Sequence, residues 1–340
     1  MAEPGSTERA RSYCVPPPAA ADRIVWPESF GTRFTVLVDT EEEFDWDASL
    51  ERGNHAVSHI IAVPEAHARF AARGVPLTYM VDYPVATDPQ AIDVLCQVTS
   101  DGVSAIGTQL HAWVNPPFEE KLTRENSFAG NLPAALEAAK LDALTAAITT
   151  AFGTAPRAYR AGRYGIGPNT LGLLAERGYK LDSSMRPGYE YAGEGGPDFA
   201  AVDAHAFRAG PGGAIVVLPL TTTFTGLARR GGVGLYRALG RVPKGRGIFA
   251  RAHLLSRIAL TPEEMPLVDV LEAIAVALGE GVRLLNFSFH SPSLAPGHTP
   301  YVRDAADLAA FHRWWDKVLT DLERRGVAPA SLAEIIDGAR

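Results

Sequence analysis

Short runs of β-branched and apolar residues recur along the chain, and longer amphipathic stretches separate them. The runs at 34–38, 76–81, 103–106, 158–159, 180–181, 215–218 and 283–289 predict strands. Helices are predicted near 56–72, 89–98, 132–152, 168–177 and 266–278. The clearest helix spans 304–325, where Leu308, Phe311, Trp315, Val318, Leu319 and Leu322 keep the helical period. Asp304 and Asp307 suit its start and Gly326 its end, while Trp314 and Trp315 read as one core and one half-exposed residue.

Such β-α alternation implies a parallel sheet covered by helices. About seven strands and a short closing helix at 331–336 favour an α/β fold closed into a distorted (β/α)7 barrel. Residues 1–27, with Pro16, Pro17 and Pro18 in the middle, read as a flexible N-terminal arm, which leaves 28–340 as one domain. The Gly- and Arg-rich stretch 185–265 reads as an irregular insertion at the rim of the site.

Composition narrows the class. With 46% hydrophobic and 21% charged residues, the chain is neither disordered nor collagen-like. Its net charge of −7 argues against nucleic acid as a partner. That charge is unevenly spread: eight Lys/Arg and no Asp/Glu fall between Arg229 and Arg257, so the other residues carry −15, eight below the total. The basic segment has three readings: a cleft wall for an acidic glycan, a contact with an anionic membrane surface, or a solvated rim. No apolar run reaches roughly 18 residues, no basic-then-apolar leader opens the chain, and Cys14 and Cys96 give no disulfide framework. A cytoplasmic location is the expectation.

In barrels and doubly wound sheets the reactive groups gather where strands end. Strand one runs into Asp39-Thr-Glu41 and strand two into Asp82. The third leads to Gln109-Leu-His111-Ala-Trp113, the fourth to Arg160-Ala-Gly-Arg163-Tyr164, the fifth to Asp182, and the last to His290. Carboxylates, imidazoles and guanidiniums converging on one rim suit amide or ester hydrolysis assisted by a divalent metal such as zinc. Other chemistries fit poorly. His55 and His59 lack the Glu of a zinc-protease helix and read as an exposed face, Gly232-x-Gly234 is no nucleotide loop, and no Gly-x-Ser-x-Gly elbow occurs.

Phe34-Thr-Val-Leu-Val-Asp-Thr-Glu-Glu-Glu-Phe-Asp-Trp46, Tyr159-Arg-Ala-Gly-Arg-Tyr-Gly165 and Phe287-Ser-Phe-His-Ser-Pro-Ser293 resemble, in order, the motifs of polysaccharide deacetylases. This is carbohydrate esterase family 4, with the NodB-homology fold; the WalW-like branch, linked to lipopolysaccharide biosynthesis, is the most similar. The resemblance implies Asp39 as general base, Glu41 and His111 as metal ligands, and Arg160 as tether of the base. It also implies Asp182 as the group orienting His290, and His290 as the acid that protonates a leaving amine. Asp82, Gln109, Trp113, Arg163, Tyr164 and His298 are candidate substrate contacts. The implied reaction removes an N-acyl, usually N-acetyl, group from an amino sugar or glycan. Where that branch carries Glu-Ile-Gly-x-His-x-His, this chain has Ala105-Ile-Gly-Thr-Gln-Leu-His111. Gln109 thus replaces an imidazole, and a degenerate site that binds glycan or works without metal is the alternative.

Overall fold

Alternation along the central strands sorts their side chains onto two faces. In β1 (Arg33–Thr40), Phe34, Val36 and Val38 pack outward under helices, whereas Leu37 joins a smaller core inside the sheet's curve. Seven of its eight residues are buried, as a strand paired on both sides and covered on both faces requires. The computed structural model describes residues 12–44 and 48–339.

β2 (Leu77–Val81), β3 (Ala105–Leu110), β4 (Ala158–Ala161), β5 (Leu181–Asp182), β6 (Phe207–Ala209) and β7 (Ile215–Val217) follow in the chain. β8 (Thr222–Thr225), β9 (Ser256–Ala259), β10 (Leu284–His290) and β11 (Ala328–Pro329) complete the strands. Nine form one curled sheet in the order β10-β1-β2-β3-β4-β5-β7-β6, with β11 added on β1. All its pairings are parallel except β6 with β7. β8 and β9 form a separate antiparallel pair.

Helices α1 (Val63–Ala71), α2 (Tyr83–Thr87), α3 (Pro89–Thr99), α4 (Ala134–Phe152) and α5 (Thr170–Glu176) lie in the first half. α6 (Gly232–Gly240), α7 (Gly245–Arg251), α8 (Leu267–Gly279), α9 (Ala305–Arg324) and α10 (Leu332–Gly338) follow. In α9, Asp304 caps the backbone N–H groups of Ala306 and Asp307, and both Trp314 and Trp315 are buried. The expected half-exposed tryptophan is a core residue whose indole donates to Met265 O at 3.2 Å. No helix among the described residues is long and apolar enough to cross a membrane.

The architecture is a distorted, open α/β barrel. Its seam lies between β7 and β10, where no strands pair among the described residues. Residues 218–221 bridge it: Leu218 N donates to Asp182 O at 2.8 Å and Thr221 N to Asn286 O at 3.1 Å. The Asn286 amide inside donates to Ser183 Oγ, Leu218 O and Pro219 O. At the base, Leu332, Ile335 and Ile336 of α10 plug the inner core beside the stacked rings of Trp26 and Phe30.

The sequence pattern anticipates every long strand but not β6, β8, β9 or β11. Three are two to four residues long beside unpatterned loops, and β8 is separated from its partner by α6 and α7, so no hairpin turn marks the pair. The region expected as irregular, 185–265, therefore holds β6 to β9 and two helices. Of the 1–27 segment, residues 1–11 lie outside the described residues. The remainder runs along the sheet edge: Val15 N donates to Asp198 O, Ile24 N donates to Ala206 O, and Val15 and Trp26 are buried. Apolar side chains in a Pro-rich stretch had a surface to cover.

Candidate active site

The inward rows of the barrel end in ionisable side chains at the top of the strands. In β10 the row is Leu284, Asn286, Ser288, His290; in β1 it is Thr35, Leu37, Asp39. The register sets Asp39 opposite His290 and Gln109 opposite Arg160. Asp39 and Arg160 are buried and bonded through Arg160 Nη1 and Asp39 Oδ1 at 2.5 Å. The same guanidinium donates to Ser288 Oγ, to Ser183 O at 3.1 Å and to Ser183 Oγ at 3.0 Å. Four anchors leave Arg160 little freedom, so it fixes the Asp39 carboxylate in place.

His290 Nε2 lies 3.7 Å from Asp39 Oδ2, and its Nδ1 lies 2.7 Å from Glu263 Oε2. Glu263 Oε1 also accepts from His290 N at 3.0 Å and from Ser293 Oγ at 2.5 Å. Burial alone would discharge the imidazole, but Glu263, Glu41 and Asp39 outweigh it and raise its pKa to about 10. It is an imidazolium at neutral pH. Asp182 does not supply this partner: it accepts from Ser184 Oγ at 2.5 Å and Ser184 N at 3.3 Å. Burial raises Asp182 to about 6. Glu263 was missed because it follows the short β9, which the hydrophobic pattern does not reveal.

Glu41, Gln109 and His111 form the opposite wall. Gln109 Nε2 donates to Glu41 Oε2 at 3.0 Å, and His111 Nε2 lies 3.4 Å from the same oxygen. Behind the ring, His111 Nδ1 meets Glu42 Oε2 at 2.7 Å, and Trp113 Nε1 donates to Glu42 Oε1 at 2.7 Å. Asp82 Oδ2 accepts from Glu42 N at 2.8 Å, and Asp82 Oδ1 caps α2 through Val85 N. Trp113 stacks on His111 with centroids 4.3 Å apart. It is a buried pedestal more than a substrate platform. Gly162 permits the packing, since a Cβ there would stand 2.3 Å from His111 Cδ2.

Burial dominates the ionisation of this wall. It raises Glu41 to about 8, with His290 and His111 opposing, and Glu42 to about 7 against hydrogen bonds with Asp82 and Trp113. Asp82 is held well above the usual carboxylate range by burial and by the Glu42 charge. Glu42, Asp82 and His111 offer ligand atoms that all lie within 4.8 Å of one another, close enough to share a metal ion. Two details make the other side of the ring a second candidate ligand position. Glu42 holds Nδ1 as a carboxylate behind a metal-binding imidazole does, and Glu41 Oε1 and Gln109 Oε1 are buried without a hydrogen-bond partner. The 3.4 Å between His111 Nε2 and Glu41 Oε2 also matches the roughly 3.4 Å between neighbouring ligands of a tetrahedral ion with bonds near 2.0–2.1 Å. The residues fit a divalent cation. Glu42 could have been singled out only by asking which neighbour of Glu41 turns inward behind the third strand.

The floor is a small cavity of about 100 Å³ lined by Asp39, Glu41, Gln109, His111, Trp113, Arg160 and His290. It shares Phe44, Arg163, Tyr164, Arg186, Glu264 and Tyr301 with an adjoining chamber of about 480 Å³. Arg163 and Tyr164 adopt left-handed backbone, φ 55° and 57°, at the end of β4. The strain turns both side chains to the mouth. There Arg163 pairs with Glu194 and lies over Phe128, while Arg186 pairs with Glu264 at 2.6 Å and stands over Tyr189. His298 is not in this pocket. It meets Glu43 Oε2 at 3.3 Å, in a separate cluster where His59 Nε2 meets Ser291 Oγ at 2.7 Å and His59 Nδ1 meets Glu43 at 3.1 Å. His59, expected on an exposed face, is buried because this network satisfies both ring nitrogens. Asp45, Trp46 and Asp47 of the acidic run lie outside the described residues.

No protein-family model matches the chain, and no curated protein matches it. Solved structures do. A putative polysaccharide deacetylase from Mycobacterium smegmatis is 16% identical over 95% of each chain, with a TM-score of 0.53. A probable polysaccharide deacetylase from Pseudomonas aeruginosa PAO1 is 15% identical over 92% of each chain, with a TM-score of 0.50. At such identities the likeness establishes a shared fold, the distorted barrel of these deacetylase-type structures.

Proposed function

We propose that this pocket hydrolyses the N-acyl amide of an amino sugar. The observation that carries the reading is the facing pair at the strand ends: Asp39, tethered by Arg160, 3.7 Å from a charged His290 backed by Glu263. A water between them gives its proton to Asp39 as its oxygen bonds to the acyl carbon. The C–N bond then breaks, and His290 supplies the proton that lets the amine leave, so acid and amine are the products. A divalent cation beside Glu41 and His111 supplies Lewis-acid polarisation of the acyl carbonyl when bound.

Size supports the assignment of groups. The catalytic cavity of about 100 Å³ falls well below the roughly 300–1,000 Å³ of ordinary ligand pockets, so it suits a short acyl group such as acetyl. The adjoining chamber of about 480 Å³, with Tyr164, Tyr191 and Tyr301 on its walls, has room for the sugar. The resemblance to the WalW-like branch extends the reading to amino sugars of surface polysaccharide or lipopolysaccharide. Gln109 favours a second reading, in which glycan is bound or cleaved without metal.

One assay separates these. Release of acetate from N-acetylated amino-sugar oligomers should fall at least about a thousandfold in Asp39→Asn and should be lost in chelator and restored by divalent ions. Undiminished turnover in chelator would favour the metal-free reading. Activity surviving Asp39→Asn would remove Asp39 from the reaction.

A further inference from the structure

The basic segment is a helical hairpin with almost no buried residue. α6 has no buried residue and α7 only Gly245. One side is anchored: Tyr236 packs on Phe224, and Arg246 and Arg257 stand over the Tyr236 ring. The segment also carries Arg229, Arg230, Arg241, Lys244 and Arg251, all exposed and in no ion pair or side-chain hydrogen bond among the described residues. Arg237 is the exception, paired with Glu190 at 2.7 Å and Asp198 at 2.6 Å. Among these cations stand aliphatic side chains in water: Leu227 is 86% exposed, Val242 56% and Ile248 57%. Ile248 and Arg251 lie three residues apart and so share one face of α7, and Lys244 stands at its N-cap.

We propose that this hairpin docks the protein on an anionic membrane surface. Aliphatic tips among unpaired cations are what an interfacial segment needs: the apolar groups enter the headgroup boundary while the cations meet lipid phosphates. A nucleic acid or acidic glycan gains nothing from Leu227, Val242 and Ile248. A second copy packed by two-fold symmetry would bring like charges together. The remainder of the chain carries −15, so the same surface repels the body and sets the docked orientation.

The hairpin also has a physical link to the pocket. Arg257 Cζ lies 3.2 Å from the Tyr189 ring centroid, and the opposing cation on that ring is Arg186, at 3.9 Å, which lines the catalytic cavity. Docking thus brings the mouth of the site near the headgroups, where a sugar carried on a lipid would reach it. This last clause rests on the proposed reading of the pocket; the docking itself does not.

Sedimentation of the full chain with vesicles tests the proposal. Binding is expected to phosphatidylglycerol-containing vesicles and not to pure phosphatidylcholine at low ionic strength, and salt should reverse it. Each neutralised cation should lower partitioning about fivefold, so Arg241→Ser with Lys244→Ser should cost about 25-fold. Val242→Ser with Ile248→Ser should cost about tenfold or more. Thermal unfolding should be unchanged in either double variant, since all four residues are exposed. Equal binding to both vesicle types, or none to either, would overturn the proposal. So would full vesicle binding by the Val242→Ser, Ile248→Ser variant together with displacement by duplex DNA, which would mark a general polyanion site. Docking without any deacetylase activity would leave the proposal standing and refute only the reading of the pocket.

Discussion

His290 is held by two carboxylates with unequal grips. Glu263 makes the short bond to Nδ1, and Asp39 stands farther off at Nε2. Because the imidazole's pKa is raised to about 10, the acid of the proposed reaction would be charged at neutral pH, and activity should decline on the alkaline side as pH rises through that value. Removing the Glu263 charge lets burial, which opposes the imidazolium, act with less resistance. Glu263→Gln should therefore move the alkaline limb of the kcat profile to distinctly lower pH and cut kcat roughly tenfold or more, with KM little changed. Asp182→Asn, whose parent bonds Ser184, should leave that limb in place; a limb unmoved in Glu263→Gln would remove Glu263 from the proton balance. Asp39 and His290 were legible in the sequence because each lies at the end of a strand whose apolar run is plain, and Arg160 because the motif from Tyr159 to Gly165 marks it. Glu263 and Glu42 were not: one follows a four-residue strand, and the other is a middle member of an acidic run whose neighbours look alike.

At the scale of elements, the helices with long apolar periods stand where the pattern puts them, and α4 does more than cover the sheet. Lys140, in its middle, is buried and donates to Ala112 O at 2.9 Å, Asn115 O at 2.7 Å and Pro117 O at 2.7 Å. Glu120 lies 3.3 Å away and opposes the fall in ammonium pKa that burial causes. One side chain thus clamps the loop that carries His111 and Trp113. Hydrophobic periodicity cannot show this, because a lysine inside a helix looks like a solvated position until its neighbours are known. Lys140→Met fills similar space but leaves three carbonyls without their donor, so it should cost about 3 kcal/mol in urea unfolding. It should also lower activity by loosening the loop. A loss below about 1 kcal/mol would mean that water replaces the ammonium. The same distinction explains β6, β8 and β9: their order comes from docking against the seam and the N-terminal segment, contacts absent from any local window.

For the whole molecule, the buried carboxylates also shape stability against pH. Burial raises Glu41 to about 8, Glu42 and Glu137 to about 7, and Asp182 to about 6, from ordinary values of 4.5 for Glu and 3.8 for Asp. A folded-state pKa above the unfolded one means that the folded chain holds more protons; its stability is fully present below the unfolded value and is lost as pH rises through the folded one. These groups therefore erode stability between about pH 4 and pH 8, and His290, raised to about 10, continues the trend above pH 6.5. Glu43 and Asp203 act in the opposite sense. Burial opposes their charge, yet bonds from His59 and Ser58 to one and from His205 to the other lower both to about 2. Their contribution is present above the ordinary carboxylate range and is lost as pH falls toward 2. The metal-free protein should accordingly unfold at its highest temperature near pH 4–5, and the midpoint should drop by about 5 °C or more by pH 8. Divalent cations at pH 8 should recover part of that drop, since binding at Glu41 favours the ionised carboxylate and expels its proton. Calorimetric scans in chelator across this range, repeated with added zinc or manganese, read both effects. Glu41→Gln should flatten the decline and abolish the recovery. A curve in chelator that instead peaks at pH 8 would show that these buried carboxylates are ionised in the folded chain without a metal.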